Sequence, residues 1–300
     1  MADHPLVSVI IPTYNRRDLV ARAIESACTQ TYSNVEVIVI DDGSTDGTGD
    51  AVQRLGYDVT YLYQSNRGLA AARNAAIKSS RGELVALLDS DDWWLGTKLE
   101  RCVGYLQAHR NVDVVYTPML TVDSRGNPMQ GHDKKCLQGR LLDELFENVF
   151  IHDPAAVFQR TVWEHVGGFD ESLPVCVGHN FWLRVAVDHT FGLIDEPLAV
   201  RTWLKDSLTR GDRIRGHRSK IDMLTRFYNE HPGRRKLSPE RARRSLARAY
   251  YSAGKACLSG GDVPLAVRYL REAIRYRPKW GKARFFYVLA LGRSQFRRAA

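Results

Sequence analysis

The sequence predicts an α/β fold, a doubly wound and mostly parallel sheet flanked by helices, with an α-helical extension after it. Three observations carry that prediction. Short runs rich in β-branched residues alternate with stretches of helical apolar spacing up to about residue 117. From about residue 210 the pattern becomes helical and basic. Three hundred residues leave room for a domain of about 200 residues plus such an extension. Domains over 1–209 and 210–300 are therefore expected.

The first strand is "VSVII" (7–11) and the second "VEVIVI" (35–40), both composed like strands buried on two faces. Between them, "DLVARAIESACTQ" places Leu19, Ala23, Ile24, Ala27 and Cys28 at helical spacing. "DVTYLY" (58–63) is a third strand, "LAAARNAAIKSS" (69–80) a helix and "ELVALLD" (83–89) a fourth strand. In "TKLERCVGYLQAH" (97–109), Leu99, Cys102, Val103 and Leu106 share one face, and Thr97 with Glu100 has the form of a capping box. "DVVYT" (113–117) closes the series. In the extension, Gly254, Ala266, Leu270, Ala273 and Pro278 sit at offsets resembling a tetratricopeptide repeat, with "SGGD" at its inter-helix turn. One repeat cannot form a solenoid alone, so a helical hairpin is expected there.

Charge divides the chain as the pattern does. Residues 1–200 hold 17 basic and 27 acidic groups, and residues 201–300 hold 26 and 7. A basic surface of this kind meets an anionic lipid face or another polyanion, or is simply a set of solvated helix faces. It lacks the interleaved aromatic and basic loops of a known nucleic-acid module, so no nucleic-acid partner is expected. The opening "MADHPLVSVIIPTYNRR" reaches a Pro and a turn after a few strand-like residues, which argues against a secretory signal. Five cysteines without C-x-x-C spacing argue for a reducing compartment and against a zinc site. No apolar stretch approaches the roughly 18 residues that a membrane span needs. The expected location is cytoplasmic.

In doubly wound sheets, ligands bind beyond the carboxyl ends of the strands. The residues there are "PTYN", "DDGSTDGT", "NRG" and "DSDDWW", and all four segments should line one rim. In "DDGSTDGT", Asp42, Ser44, Asp46 and Gly47 fit the start of a calcium loop, but the twelfth position is Gln53 instead of a bidentate Glu. A polar turn explains the Gly and Ser. The paired acids at the strand end can also accept hydrogen bonds from a nucleobase N–H or ribose hydroxyls. No G-x-G-x-x-G follows the first strand, which argues against a dehydrogenase. In "LLDSDDWW", Asp89, Asp91 and Asp92 crowd a strand end, where like charges repel unless a cation or donors relieve them. A hard divalent ion, Mg²⁺ or Mn²⁺, held by one or two carboxylates plus substrate phosphates, answers that crowding; a solvated acidic turn is the plainer alternative.

Taken together, "VSVIIPTYNR", "QTYSNVEVIVIDDGSTDGT", "NRGLAAARNAAI", "GELVALLDSDDWWLGTKLE" and "VGGFDE", in this order, closely resemble the family 2 glycosyltransferases with the GT-A fold, over about residues 5 to 205. The resemblance implies an inverting, metal-dependent transfer of sugar from a UDP-linked nucleotide sugar to a hydroxyl acceptor. The acceptor would be a glycan or lipid-linked molecule in cell-surface polysaccharide or glycolipid synthesis. It implies uracil and ribose contacts at Pro12, Thr13, Tyr14, Asn15 and Asp42, with Asn66 and Arg73 near the base and diphosphate. Asp91 would contact ribose or sugar, Asp92 would hold the metal, and Asp89 matches the acid that opens the family's motif. The basic extension would rest peripherally on the inner membrane face, where lipid-linked acceptors reside.

One part of the pattern departs from the family. "GGFDESLPVC" and "FWLRVA" match, but Val177 and Gly178 fall where the family keeps a Glu-Asp pair whose carboxylate deprotonates the acceptor. A His that many relatives carry near Leu204 is also missing. Three explanations stand open. His179 serves as base, since its ordinary pKa near 6.5 suits the task. Another acid, Glu171, Asp170 or Asp153, takes the proton. Or the chain is a catalytically impaired nucleotide-sugar-binding or scaffold protein. A cysteine-nucleophile reading of Cys176, His179 and Asn180 fares worse, because thiol sites usually assemble from separated segments.

Overall fold

β1 (Val7–Thr13) is buried at every position, as a central strand rich in Val and Ile should be, and its Ser8 and Thr13 are buried with it. In the computed structural model, residues 3–129, 136–203 and 213–299 are described. After β1 come α1 (Val20–Cys28), β2 (Val35–Asp41), α2 (Thr48–Arg54), β3 (Thr60–Tyr63), α3 (Leu69–Ser79), β4 (Leu84–Leu87), β5 (Trp93–Trp94) and α4 (Lys98–Ala108). β6 (Val114–Tyr116), β7 (Met119–Val122), α5 (Leu142–Glu147), β8 (Ala156–Gln159), α6 (Arg160–Val166), α7 (Val177–Val185), β9 (Phe191–Leu193) and β10 (Ala199–Thr202) follow. The remaining helices are α8 (Arg213–Glu230), α9 (Pro239–Ser259), α10 (Val263–Tyr276) and α11 (Gly281–Ala299).

The chain divides into two units, one of Met1–Leu141 with Val149–Leu204, the other of Leu142–Asn148 with Lys205–Ala300. The boundary expected between 209 and 210 lies outside the described residues.

In the first unit the main sheet has seven strands in the order β3-β2-β1-β4-β8-β6-β9. β1 pairs in parallel with β2 and β4, and β2 with β3. The parallel series is not continuous through 113–117, as the sequence pattern suggested. β8 inserts antiparallel between β4 and β6, and β6 pairs in parallel with β9. The register sets Thr13 beside Asp41 and Asp41 beside Tyr63, so the first three strands end level. A smaller sheet runs β5-β10-β7.

α3 lies on β1 and β2, and its run of alanines lets the backbone approach closely enough to bury Ala70, Ala71, Ala72 and Ala76. The capping box expected at α4 does not form. Thr97 makes no side-chain cap hydrogen bond, and Gln30 Oε1 accepts from the Leu99 N–H of the first turn at 3.0 Å. Glu100 accepts instead from Thr31 Oγ1 at 2.8 Å.

In the second unit, Ser238 Oγ caps α9 by accepting from the Arg241 N–H, and Asp262 Oδ1 caps α10 by accepting from Leu265 N–H at 3.1 Å. Helices α9 and α10 form a hairpin turned at Gly260–Asp262. A Cβ on Gly254 would stand 2.7 Å from Leu270 Cγ, so the glycine sets how closely the two helices approach. Ala266, Leu270 and Ala273 are fully buried at this interface. α5 belongs to the same unit: Arg241 reaches Glu144 at 2.6 Å and Glu147 at 3.0 Å, and Ser245 Oγ donates to the Phe146 carbonyl. Among the described residues no helix is long and apolar enough to cross a membrane.

Candidate functional site

The level strand ends bring the four expected segments onto one rim, and side chains tie them together. Asn15, with a left-handed φ of 50°, donates its N–H to Ser44 Oγ at 2.8 Å and accepts from Thr45 N–H at 2.9 Å. Pro12 and Thr13 are buried behind it, and Tyr14 stands about half exposed. Within "DDGSTDGT" the acids serve the turn itself. Asp41 accepts from Ser44 N–H and the Tyr61 hydroxyl, while Asp46 accepts from Arg17 N–H and from the N–H and hydroxyl of Thr48.

Asp42 is buried, and its carboxylate links β2 to the loop after β3. Oδ1 accepts from Gln64 Nε2 at 2.7 Å and Arg67 N–H at 2.9 Å, and Oδ2 from Gly68 N–H at 2.8 Å. Gly43, at φ +88°, packs under Asn66, whose backbone N would lie 2.8 Å from any Cβ at 43. Asn66 itself is exposed on the rim.

Arg73 lies deeper than the resemblance suggested. Its side chain has no exposed surface, and its guanidinium bridges two carboxylates, Asp89 Oδ1 at 2.7 Å and Asp153 Oδ2 at 2.6 Å. Placed this way, it orients the acids rather than facing the rim. Burial pushes the Asp89 carboxyl up to about 6, with Arg73 opposing the rise and Asp153 and Asp91 adding to it. Asp92 is carried well above the ordinary carboxylate range by burial and then by Asp89 and Asp91. Burial also raises Asp91, with Arg16 opposing. The repulsion expected at "DSDD" is thus present. Thr202 anchors the cluster to β10, donating its N–H to Asp92 Oδ1 at 3.0 Å and its hydroxyl to the Asp91 carbonyl at 2.5 Å. Beside Asp91 and Asp92 opens a cleft of about 350 Å³, lined also by Arg22, Asp123, Arg125 and Thr202. Asp123 and Arg125 belong to no motif, so nothing in the residue pattern marked this wall.

No group of three or more His, Cys, Asp or Glu side chains suited to a metal ion occurs among the described residues. The acid pair still fits a divalent cation that takes most of its ligands from elsewhere. Burial raises both Asp91 and Asp92, and Asp92 also feels the charges of Asp89 and Asp91; a hard cation needs only one or two such carboxylates beside substrate phosphates.

The acceptor side centres on α7. Cys176 precedes it in a left-handed conformation (φ 63°); among the described residues it shares that non-glycine peculiarity only with Asn15. His179 is buried on the helix, and Asn180 Oδ1 accepts from Arg184 Nε at 2.9 Å. Glu171 is held by Asn74 and Arg67, and Asp170 accepts from the N–H and hydroxyl of Ser172. Gly178 lies directly against Asp153: a Cβ there would be 2.3 Å from both carboxylate oxygens. The position near Leu204 lies outside the described residues.

Residues 8–167 match the model of the family described as "Glycosyl transferase family 2". The chain is similar to an uncharacterised glycosyltransferase of Rickettsia prowazekii, 34% identical over 187 residues that make up 60% of this chain and 58% of that protein. It is also similar to WfaP of Escherichia coli, named as a UDP-Glc:alpha-D-GlcNAc-diphosphoundecaprenol beta-1,3-glucosyltransferase. That match is 39% identical over 107 residues, 35% of this chain and 43% of WfaP. The chain therefore spans about half the length of these curated relatives. Among solved structures, Staphylococcus aureus TarS 1–349 in complex with UDP-GlcNAc superposes with a TM-score of 0.70 at 20% identity, covering 95% of this chain and 89% of that one. The fold is accordingly GT-A. With more than half of its length matched by the family model, the chain belongs to the family 2 glycosyltransferases.

Proposed function

We propose that the chain transfers a sugar from a UDP-linked nucleotide sugar to a hydroxyl of a glycan or lipid-linked acceptor, with inversion, in cell-surface polysaccharide or glycolipid synthesis. The observation that carries this reading is the acid cluster of half-buried Asp89 and Asp91 and buried Asp92 on the same rim as Asn15, Asp42 and Asn66. The UDP-linked substrate named for WfaP and the UDP-GlcNAc bound by TarS support the donor class. Pro12, Thr13, Tyr14, Asn15, Asp42 and Asn66 form the nucleoside side, where the half-exposed Tyr14 ring offers a stacking face. Arg73 positions Asp89, Asp91 faces ribose or sugar, and Asp92 holds the metal, Mn²⁺ or Mg²⁺. When bound, that ion supplies Lewis-acid compensation for the charge developing on the leaving diphosphate.

The basic helical unit adds a membrane reading. α11 exposes Phe285, Val288 and Leu289 at helical spacing beside Lys282, Arg284 and Arg293, the composition of a helix resting on an anionic bilayer surface. Peripheral contact with the inner membrane face would bring a cytoplasmic enzyme to lipid-linked acceptors.

A second reading, binding of a nucleotide sugar without efficient transfer, is favoured by one observation: Val177 and Gly178 supply no carboxylate where the family's base stands. Calorimetric titration with UDP and Mn²⁺, then UDP-release and transfer assays with UDP-GlcNAc and UDP-glucose, separates the two. Turnover supports the enzyme. Binding with no turnover on any donor or acceptor supports the second reading, and absence of UDP binding removes both.

A further inference from the structure

Gly178 and Asp153 occupy each other's space. A Cβ at 178 would stand 2.3 Å from Asp153 Oδ1, 2.3 Å from Oδ2 and 2.6 Å from Cγ, far inside any tolerated contact. No side chain can exist at 178 while Asp153 keeps its place. The space that a side chain at 178 would take on α7 is therefore filled by a carboxylate arriving from the turn Asp153–Ala155 ahead of β8.

The transplanted group is held firmly. Trp182 Nε1, one turn along α7, donates to Asp153 Oδ1 at 2.7 Å, and Arg73 Nη1 donates to Oδ2 at 2.6 Å. The other amino group of the same guanidinium grips Asp89 at 2.7 Å, so Asp153 is one side chain away from the acid cluster. Each carboxylate oxygen has two lone pairs and each is engaged once, so both retain accepting capacity. The Asp153 side chain is 14% exposed, enough for one hydroxyl to reach it. The other candidates are placed worse: Glu171 is bound by Asn74 and Arg67, Asp170 closes its own turn, and His179 is buried beyond Gly178.

We propose that Asp153 is the catalytic base of this chain. The inference rests on the glycosyl-transfer reading above. The acceptor hydroxyl gives its proton to the Asp153 carboxylate as its oxygen lone pair forms a bond to the anomeric carbon of the donor. The bond from that carbon to the diphosphate oxygen breaks, and its electron pair leaves with the nucleoside diphosphate. The proton then passes to solvent and restores the carboxylate.

The test uses the full chain with Mn²⁺ and the donors UDP-GlcNAc and UDP-glucose, reading UDP release, with UDP affinity measured by calorimetry. Asp153→Asn is expected to bind UDP within about threefold of wild type and to lose roughly 10²- to 10⁴-fold in kcat, the range for a missing general base. A second variant moves the carboxylate back to the helix: Asp153→Gly with Gly178→Asp. It is expected to be at least about tenfold faster than Asp153→Asn, which a purely structural role for Asp153 does not predict. Three results overturn the proposal: Asp153→Asn keeping a tenth or more of wild-type turnover, UDP affinity falling in parallel with turnover, or no gain in the double variant. A wild type that binds neither UDP nor the two donors overturns the glycosyl-transfer reading itself.

Discussion

The carboxylate of Asp42 and the backbone N–H of Gly68 meet at 2.8 Å, joining the end of β2 to the residue before α3. Two further donors, Gln64 Nε2 and Arg67 N–H, converge on the same carboxylate. The nucleoside side of the site is thus shaped by a loop that Asp42 holds in place. Asp42→Asn turns an amide toward at least one of these donors. It is expected to cost about 1–3 kcal/mol in stability and to weaken UDP binding about tenfold. Urea unfolding at pH 7 and calorimetry check both; an unchanged urea midpoint would show that the loop stands without Asp42.

Arg73 is a buried cation whose two partners are both acids, so its removal leaves two half-buried carboxylates without the cation between them. Arg73→Met is expected to destabilise the chain by about 3–5 kcal/mol. Arg73→Lys should recover only part of that, because an ammonium cannot span Asp89 and Asp153 as the planar guanidinium does. Thermal melts of the two variants make the comparison, and equal melting temperatures for Arg73→Lys and wild type would contradict it.

Glu36 gives a pH signature away from the site. Burial raises its carboxyl, but hydrogen bonds from Ser8, from the Arg81 backbone and side chain, and from Gly82 N–H outweigh it and leave it below the ordinary value of 4.5. A depressed native value means the unfolded chain binds the proton more readily. The contribution is therefore fully present above about pH 4.5 and is lost as pH falls through the native value. Glu36→Gln should be less stable than wild type at pH 7, with the gap closing toward pH 3. A gap that is constant with pH would remove the charge from the explanation.

In the helical unit, Gly254→Val drives a side chain into Leu270 and is expected to cost about 1–3 kcal/mol. Adding Leu270→Ala opens the space again, so the double variant should melt above the sum of the two single losses. Simple additivity would mean the helices have already shifted apart.

The strands β1 to β4, with α1 and α3, were legible because each is a run rich in β-branched or apolar residues or a clean helical stripe; α2 was not, since the residues leading into it read as a polar turn. β5, β7 and β10 were not: Trp93–Trp94 is two residues long, and the four residues of β7 and of β10 follow Pro118 and Pro197 without the longer apolar run that marked β4. The antiparallel place of β8 is a matter of pairing, which no local pattern encodes. At the site, the strand-end acids announced themselves by composition. The burial of Arg73 did not, since an arginine in an alanine-rich helix reads as exposed until its two acids arrive from positions 89 and 153. The capping box at Thr97 did not form, and a residue far away in sequence, Gln30, accepts from an N–H of the same first turn.

α5 lies in the sequence between β7 and β8, yet its residues belong to the helical unit, where Glu144 and Glu147 clasp Arg241 and Phe146 O receives the Ser245 hydroxyl. Cutting the chain at one junction therefore does not separate the helical unit from the rest. A gene shortened to its first 209 codons would still encode α5, with Leu142, Leu145 and Phe146 deprived of the helix that shelters them.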